Sequence, residues 1–337
     1  MTIRIPAIET CGFCEYIAGT KECAFIRRGP LVSSLVNRTQ YETGALLIIP
    51  NHHFPTVLDL PPRTLAAAAL ESQLLGRALV EEFGATGLNI YQNNGIDANQ
   101  HFPHYHLHVV PRFPGSDSTR IYLHTDFSPV SIAEQHEIGA RIRRGCERIA
   151  LSRAALVVID VQKAIDAGYH AVHGPRNNVD AEKKIARLLA QWRENQRPVI
   201  HIRHDSTSAD SAYRPGQAGN AFKDEVMPLA GETIIPKTTN SAFIGTQLER
   251  HLRSSGIDTL VVAGVSTNNS LEATVRMAGN LGFNTYLVGD ACFTFARPDF
   301  AGTLRSAEEV HAMSLANLHG EYCTVVNADQ VIGTDLR

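Results

Sequence analysis

The chain has 337 residues, of which 44% are hydrophobic and 19% charged, with a formal net charge of −3. At roughly 100–200 residues per domain this predicts two domains, with ample apolar material for two cores. The balance of charge argues against a nucleic-acid partner, and no apolar run approaches the roughly 18 residues of a membrane span. The opening MTIRIPAIETCGFC lacks the apolar stretch of a secretory signal. Cys11, Cys14, Cys23, Cys146, Cys292 and Cys323 are scattered rather than spaced as a disulfide framework, which reads as a reducing, cytoplasmic setting.

Short strands are expected over 25–50, the clearest being GALLIIP (44–50), closed by Pro50. TLAAAALESQLLGRALVEEFG (64–84) predicts a long helix with a glycine stop. GLNIYQ (87–92) is a further strand and NNG (93–95) a turn. HYHLHVVPR (104–112) then alternates, with His104, His106 and His108 on one face of a strand and Tyr105, Leu107 and Val109 on the other. A merely solvated face would carry Thr, Lys or Glu, because three histidines lower strand propensity and add no charge at neutral pH. PGSDSTR (114–120) breaks the pattern. SIAEQHEIGARIRRGCERIA (131–150) predicts a helix with Ser131 and Glu134 placed as a capping box. The expected first domain, 1–150, is therefore α+β, an antiparallel meander with one main helix.

In 151–337 the grammar changes. Continuous apolar runs, AALVVID (154–160), PVIHIRH (198–204), TLVVAGV (259–265), TYLVGD (285–290) and YCTVVN (322–327), alternate with expected helices over 179–194, 245–255, 268–281 and 305–318. Fully apolar strands between helices predict an α/β/α domain with a mostly parallel, Rossmann-like sheet. Asp160, Asp290 and the STNNS loop fall at strand C-terminal ends, where such sheets form their sites. His201 and His204 alternate on one strand, one core-facing and one in loop contact.

Residues 104–110 match the pattern His-φ-His-φ-His-φ-φ in full, and the chain over about 1–125 resembles the histidine triad (HIT) family of nucleotide hydrolases and transferases. NNGIDANQ (93–100) and LLIIPNHHF (46–54) resemble the family's flanking segments. The resemblance implies cleavage or transfer at a nucleotide α-phosphate, with His106 as a covalent nucleophile. It makes His108 a phosphate ligand or proton donor, and Asn37, Asn94 and Gln100 nucleotide-binding groups. The implied substrate is a purine nucleotide or nucleotide phosphoramidate. Cys11-Gly-Phe-Cys14 has no thioredoxin-like context. Some family members hold structural zinc through such a pair, which here implies Cys11, Cys14, His53 and His104, with His52 competing for the third place.

DVQ (160–162), RHDS (203–206), PKTTNSAF (236–243) and GVSTNNSLEATVRMAGNLGF (264–283) together resemble the isochorismatase-like, or cysteine hydrolase, superfamily over about 153–330. The resemblance implies an Asp160 and Lys237 pair and an oxyanion loop at Val265, Ser266, Thr267 and Asn269, often built around a strained or cis peptide. Where the family has its nucleophilic cysteine, this chain has Ser270. Asp160 is then expected to act directly on a small amide or enol ether, and no metal is expected in this domain. The whole chain reads as a cytoplasmic, bifunctional small-molecule hydrolase. The alternative joins an active triad domain to a catalytically dead binding or assembly domain. No nucleic-acid or membrane partner is expected. A homo-oligomer is, since both families commonly self-associate and LAAAAL (65–70) offers small residues for close helix contact.

Overall fold

The structure is a computed structural model that describes residues 3–117 and 129–333. It divides into two compact units, Met1–Ile149 and Ala150–Arg337. Residues 118–120 of the expected break after the histidine strand lie outside the described residues.

The first unit runs α1 (Gly12–Ala18), β1 (Phe25–Arg28), β2 (Val32–Val36), β3 (Leu46–Pro50), α2 (Pro62–Phe83), β4 (Gly87–Tyr91), β5 (Leu107–Arg112) and α3 (Ile132–Ser152). Its five-stranded sheet is antiparallel, in the order β1-β2-β3-β5-β4. The expected meander is corrected here, because β5 inserts between β3 and β4. Burial explains the order: Val109 and Val110 on β5 are fully buried and take a neighbour on each side, whereas β4 carries half-exposed Ile90 and suits an edge.

The helix α2 starts at Pro62, a residue suited to the first turn. It buries a stripe through Ala68, Leu75 and Leu79 and stops at left-handed Gly84. That stripe packs with Ile48, Tyr105, Val109 and Ile142 into the core. The histidine strand is shorter than expected. Regular pairing starts at Leu107, because the Tyr105 N–H donates to the Phe54 carbonyl (2.6 Å) instead of a strand neighbour. The alternation survives, with Tyr105 and Val109 in the core and His104, His106 and His108 on the opposite side.

The second unit runs β6 (Ala155–Ile159), α4 (Ala181–Glu194), β7 (Val199–His204), β8 (Thr233–Lys237), α5 (Leu248–Ser254), β9 (Thr259–Val265), α6 (Glu272–Asn280) and β10 (Asn284–Phe293). A small hairpin of β11 (Arg297–Pro298) and β12 (Leu304–Arg305) follows, then α7 (Ala307–Leu318), β13 (Thr324–Val326) and α8 (Ala328–Gly333). Six parallel strands lie in the order β13-β10-β9-β6-β7-β8. Alternate residues of β6 serve two cores. Leu156 and Val158 pack with α4 and α8, while Ala155, Val157 and Ile159 pack with α5, α6 and α7. The β8 strand was not expected. Its Pro236 breaks a strand pattern but is tolerated here because β8 is an edge. The helix expected over 268–281 splits into a π-helical turn, Thr267–Leu271, and α6.

One ion cluster holds the segment after β6. Arg176 grips Glu182 with two bonds of 2.6 Å, and Lys223 adds a third of 2.8 Å. Burial pushes the Glu182 carboxyl up, but the two cations outweigh it and hold it near 2. Its folded value lies below the unfolded one. The stabilisation is therefore full above the ordinary value of 4.5 and is lost as pH falls towards 2. Glu182→Gln is expected to destabilise the second unit by about 3 kcal/mol at pH 7, since it strands the half-buried Arg176 guanidinium and leaves Lys223 with Asp166 alone. Denaturant unfolding should show that gap closing as pH drops through this window.

Candidate active sites

In the first unit the donors are fixed by backbone bonds. The His104 Nε2–H donates to the Pro50 carbonyl (3.1 Å), which leaves Nδ1 as the lone-pair nitrogen. That Nδ1 lies 3.3 Å from Cys11 Sγ and 3.6 Å from Cys14 Sγ, and His53 Nδ1 lies 3.4 Å from Cys14 Sγ. All four ligand atoms fall within 4.8 Å of one another. Tetrahedral zinc, with bonds of about 2.0–2.3 Å, spaces its ligands by about 3.3–3.8 Å. The two-thiol, two-imidazole set therefore fits such an ion. Cys11 caps α1 and Cys14 follows one turn later, so the helix start presents both sulfurs to one point. His53, not His52, joins the group.

His106 is fixed in the same way. Its Nδ1–H donates to the His104 carbonyl (2.7 Å), so Nε2 keeps its lone pair. Burial lowers the imidazole's pKa and holds it neutral. His108 stacks on Tyr91, with centroids 4.4 Å apart and planes 5° apart. Burial, helped by His106, pushes it down to about 3. Both rings line a cavity of about 550 Å³ with Phe13, Tyr16, Asn37 and Tyr91. Phe13 lies 5.1 Å from His106, centroid to centroid.

Two of the expected nucleotide ligands are bonded within their own loop in this structure. Gln100 is buried, its oxygen accepts from the Gly95 N–H (2.6 Å), and its amide donates to the Pro55 and Phe102 carbonyls (2.6 and 2.9 Å). Asn94 accepts from the Val57 N–H (2.7 Å) and donates to Gln92. Both side chains staple their own loop, and neighbouring Asn93 and Asn99 line the cavity instead. Phe13 and Tyr16 were not anticipated, because a seven-residue helix is too short to show a periodic face.

In the second unit the site gathers at the C-terminal ends of β6, β8 and β9. Asp160 follows β6 with φ 54°, a left-handed conformation uncommon for a non-glycine residue. Gly264 lets β9 come close, since a Cβ there would sit 2.2 Å from the Ile159 carbonyl oxygen. The next peptide, Val265–Ser266, is cis. Lys237 Nζ donates to Asp160 Oδ2 (2.6 Å), the Thr239 carbonyl (3.0 Å) and Ser270 Oγ (3.2 Å). All three ammonium protons are thereby engaged. Burial pushes the Asp160 carboxyl up and the Lys237 ammonium opposes it.

The oxyanion-loop residues are held from behind. Thr267 Oγ1 bonds His311 Nδ1 (2.9 Å), and Ser314 Oγ donates to the Thr267 carbonyl (3.1 Å). The Asn269 N–H is engaged by the Ser266 carbonyl (3.1 Å). Cys292 is fully buried, with its thiol pushed far up, and cannot replace the missing cysteine. His201 is core-facing and bonded to Glu232 (2.9 Å), while His204 lies against Tyr213.

Fold and sites define a two-unit hydrolase. The isochorismatase domain model matches residues 154–330 and the HIT domain model residues 19–115. The chain belongs to the isochorismatase family and carries a HIT domain ahead of that part. It is 44% identical over 180 residues to YrdC, an uncharacterized isochorismatase family protein of Bacillus subtilis, covering 53% of this chain and 95% of YrdC. It is 32% identical over 102 residues to the adenylylsulfatase HINT3 of Arabidopsis thaliana, covering 30% of this chain and 52% of that protein. A solved isochorismatase-family structure from Chromobacterium violaceum is 57% identical with a TM-score of 0.53, covering 54% of this chain and 93% of that one.

Proposed function

We propose that residues 1–150 cleave or transfer at the α-phosphate of a purine nucleotide, and that 151–337 hydrolyse a small amide or enol-ether-type substrate. The carrying observation is the His106 Nδ1–H bond to the His104 carbonyl, which fixes Nε2 as the free lone pair beside the cavity. Nε2 attacks phosphorus, the bond to the leaving group breaks, and the nucleotidyl group rests on His106 until water hydrolyses it. His108, neutral through burial, donates an N–H to a phosphoryl oxygen rather than carrying a proton. Asn37 faces the ribose. The likeness to an adenylylsulfatase supports an adenylyl donor. Incubation with adenosine phosphoramidate, followed by peptide mass spectrometry, should place an adenylyl group on His106. An adduct elsewhere sinks the assignment.

Cys11, Cys14, His53 and His104 would hold a structural zinc with no open position, so it takes no part in the chemistry. Metal analysis should find about one zinc per chain, the stoichiometry of one four-ligand site. Cys11→Ser/Cys14→Ser should lose it while the second unit's unfolding transition stays unchanged. Zinc retained in that variant would place the ligands elsewhere. Thiol ligands suit a reducing, cytoplasmic compartment.

In the second unit Asp160 takes a proton from water as it attacks an amide carbonyl carbon. The C–N bond then breaks and the amine leaves with the proton. With an enol ether, protonated Asp160 instead gives its proton to the vinyl carbon, water adds to the resulting oxocarbenium carbon and returns a proton to Asp160, and the C–O bond breaks to leave a carbonyl product and an alcohol. Backbone N–H groups around Val265, Ser266 and Thr267 bind the developing negative charge. Self-assembly belongs to the same reading, supported by exposed Leu70 and Val80 on α2 and Ile90 on the edge strand.

A further inference from the structure

Two of the four zinc-type donors bracket a wall of the first unit's cavity. Cys11 and Cys14 flank Gly12 and Phe13, and both of these line the cavity with His106 and His108. Tyr16, one turn on, lines it as well. Phe13 is buried and meets the rings of His106 (5.1 Å), Phe102 (5.5 Å) and His104 (5.6 Å), centroid to centroid. The HIT domain model matches from residue 19, so α1 is a wall that stands ahead of the matched part.

Helix propensity alone does not hold this wall. The helix α1 has seven residues and no side chain caps its start, and isolated helices shorter than about 12–15 residues are marginal in water. A small apolar cluster, Phe13 with Leu35, Leu47 and Ile49, ties it to the body, as does an exposed bond from Arg28 to the Ile17 carbonyl (2.8 Å). The donor set supplies a further tie. Cys11 Sγ lies 3.3 Å from His104 Nδ1, and Cys14 Sγ lies 3.4 Å from His53 Nδ1. His53 follows β3 and His104 precedes β5. Joined by one tetrahedral ion, the four residues pin the start of α1 to the segments around these two central strands.

A second path runs through His104. Its Nδ1 belongs to the donor set, and its Nε2–H donates to the Pro50 carbonyl (3.1 Å). Its own carbonyl accepts the His106 Nδ1–H (2.7 Å). One residue thus serves the metal set with its ring and orients the neighbouring imidazole with its backbone. Both paths end at the cavity, one at its apolar flank and the other at His106 Nε2.

We infer that zinc seats α1 as a wall of the nucleotide cavity, so that zinc and nucleotide bind cooperatively and zinc loading sets nucleotide affinity. This rests on the proposed readings of the cavity as a nucleotide site and of the four donors as a zinc site, and adds a coupling that neither contains. Coupling between two sites is reciprocal, so the nucleotide tightens zinc by the same factor.

The test is binding, which is independent of turnover. The full-length protein is titrated with AMP by calorimetry when loaded with zinc, after stripping with EDTA and dialysis, and after reloading. Zinc should tighten AMP by about ten-fold or more, within the usual range for coupled sites, and reloading should restore the loss. In equilibrium competition with a zinc-binding dye, saturating AMP should tighten zinc by the same factor. Amide hydrogen exchange separates a wall from a general prop: stripping should expose residues 11–18 while β2 and β3 stay protected. His53→Ala, a change outside both α1 and the cavity lining, should lower AMP affinity to that of the stripped protein. Equal AMP affinity with and without zinc, or full affinity in a zinc-free His53→Ala, overturns the coupling and leaves the nucleotide reading standing. Loss of protection throughout the first unit overturns the wall. AMP bound by neither form defeats the nucleotide reading and the inference with it.

Discussion

His106→Ala should abolish the adenylyl adduct and slow turnover of an adenosine phosphoramidate by about 10⁴-fold or more, the scale of loss when a nucleophile is removed. The large effect follows from how the imidazole is held. The His104 carbonyl accepts its Nδ1–H, burial keeps it neutral, and Phe13 packs beside it, so Nε2 is available without a preceding proton transfer. The His108 ring, 5.1 Å away, is stacked flat on Tyr91, an orientation set by that contact. His108→Ala should lower the rate less, by about 10²–10³-fold, as expected for one donor to a developing charge. It should leave the adduct on His106 intact. Equal losses in the two variants, with no adduct in either, would mean that the rings act as one unit and that the division of roles is wrong.

What the sequence revealed and concealed follows from how each feature is encoded. Alternation in HYHLHVVPR carries its own geometry, and the three imidazoles do share a face although the first two precede regular pairing. The zinc-type set draws on three separate segments, and the likeness to the HIT family rather than spacing alone named it, with His52 left open beside His53. The parallel sheet was legible because its strands are apolar on both faces. Strand β8 was hidden by Pro236, a residue that edge strands accept and pattern reading rejects. Gln100 and Asn94 were less legible for a different reason. A polar side chain in a glycine- and asparagine-rich loop can reach outward to a ligand or inward to its own backbone, and composition is the same in both cases.

The second large effect separates Asp160 from Ser270. Asp160→Asn should reduce second-unit hydrolysis by at least about 10³-fold, the combined scale of losing the acid–base group and its charge. It also leaves Lys237 buried without an anion, so its unfolding transition must be checked alongside the rate. Ser270→Ala should cost about ten-fold or less, the scale of one lost neutral hydrogen bond. The reason lies in the 3.2 Å bond from the Lys237 ammonium to Ser270 Oγ. A cation donating to that oxygen draws off the electron density an attack would need, and a hydroxyl's pKa is too high for a helix start to ionise it. A thiol in the same place responds in the opposite sense. Its pKa near 8.5 can be pulled below neutrality by an adjacent cation and a helix N-terminus, so Ser270→Cys should gain a thioester-forming amidase activity that the parent lacks. Trapping a covalent adduct on Ser270, together with Ser270→Ala as inactive as Asp160→Asn, would show that the hydroxyl is itself the nucleophile and that Asp160 takes its proton.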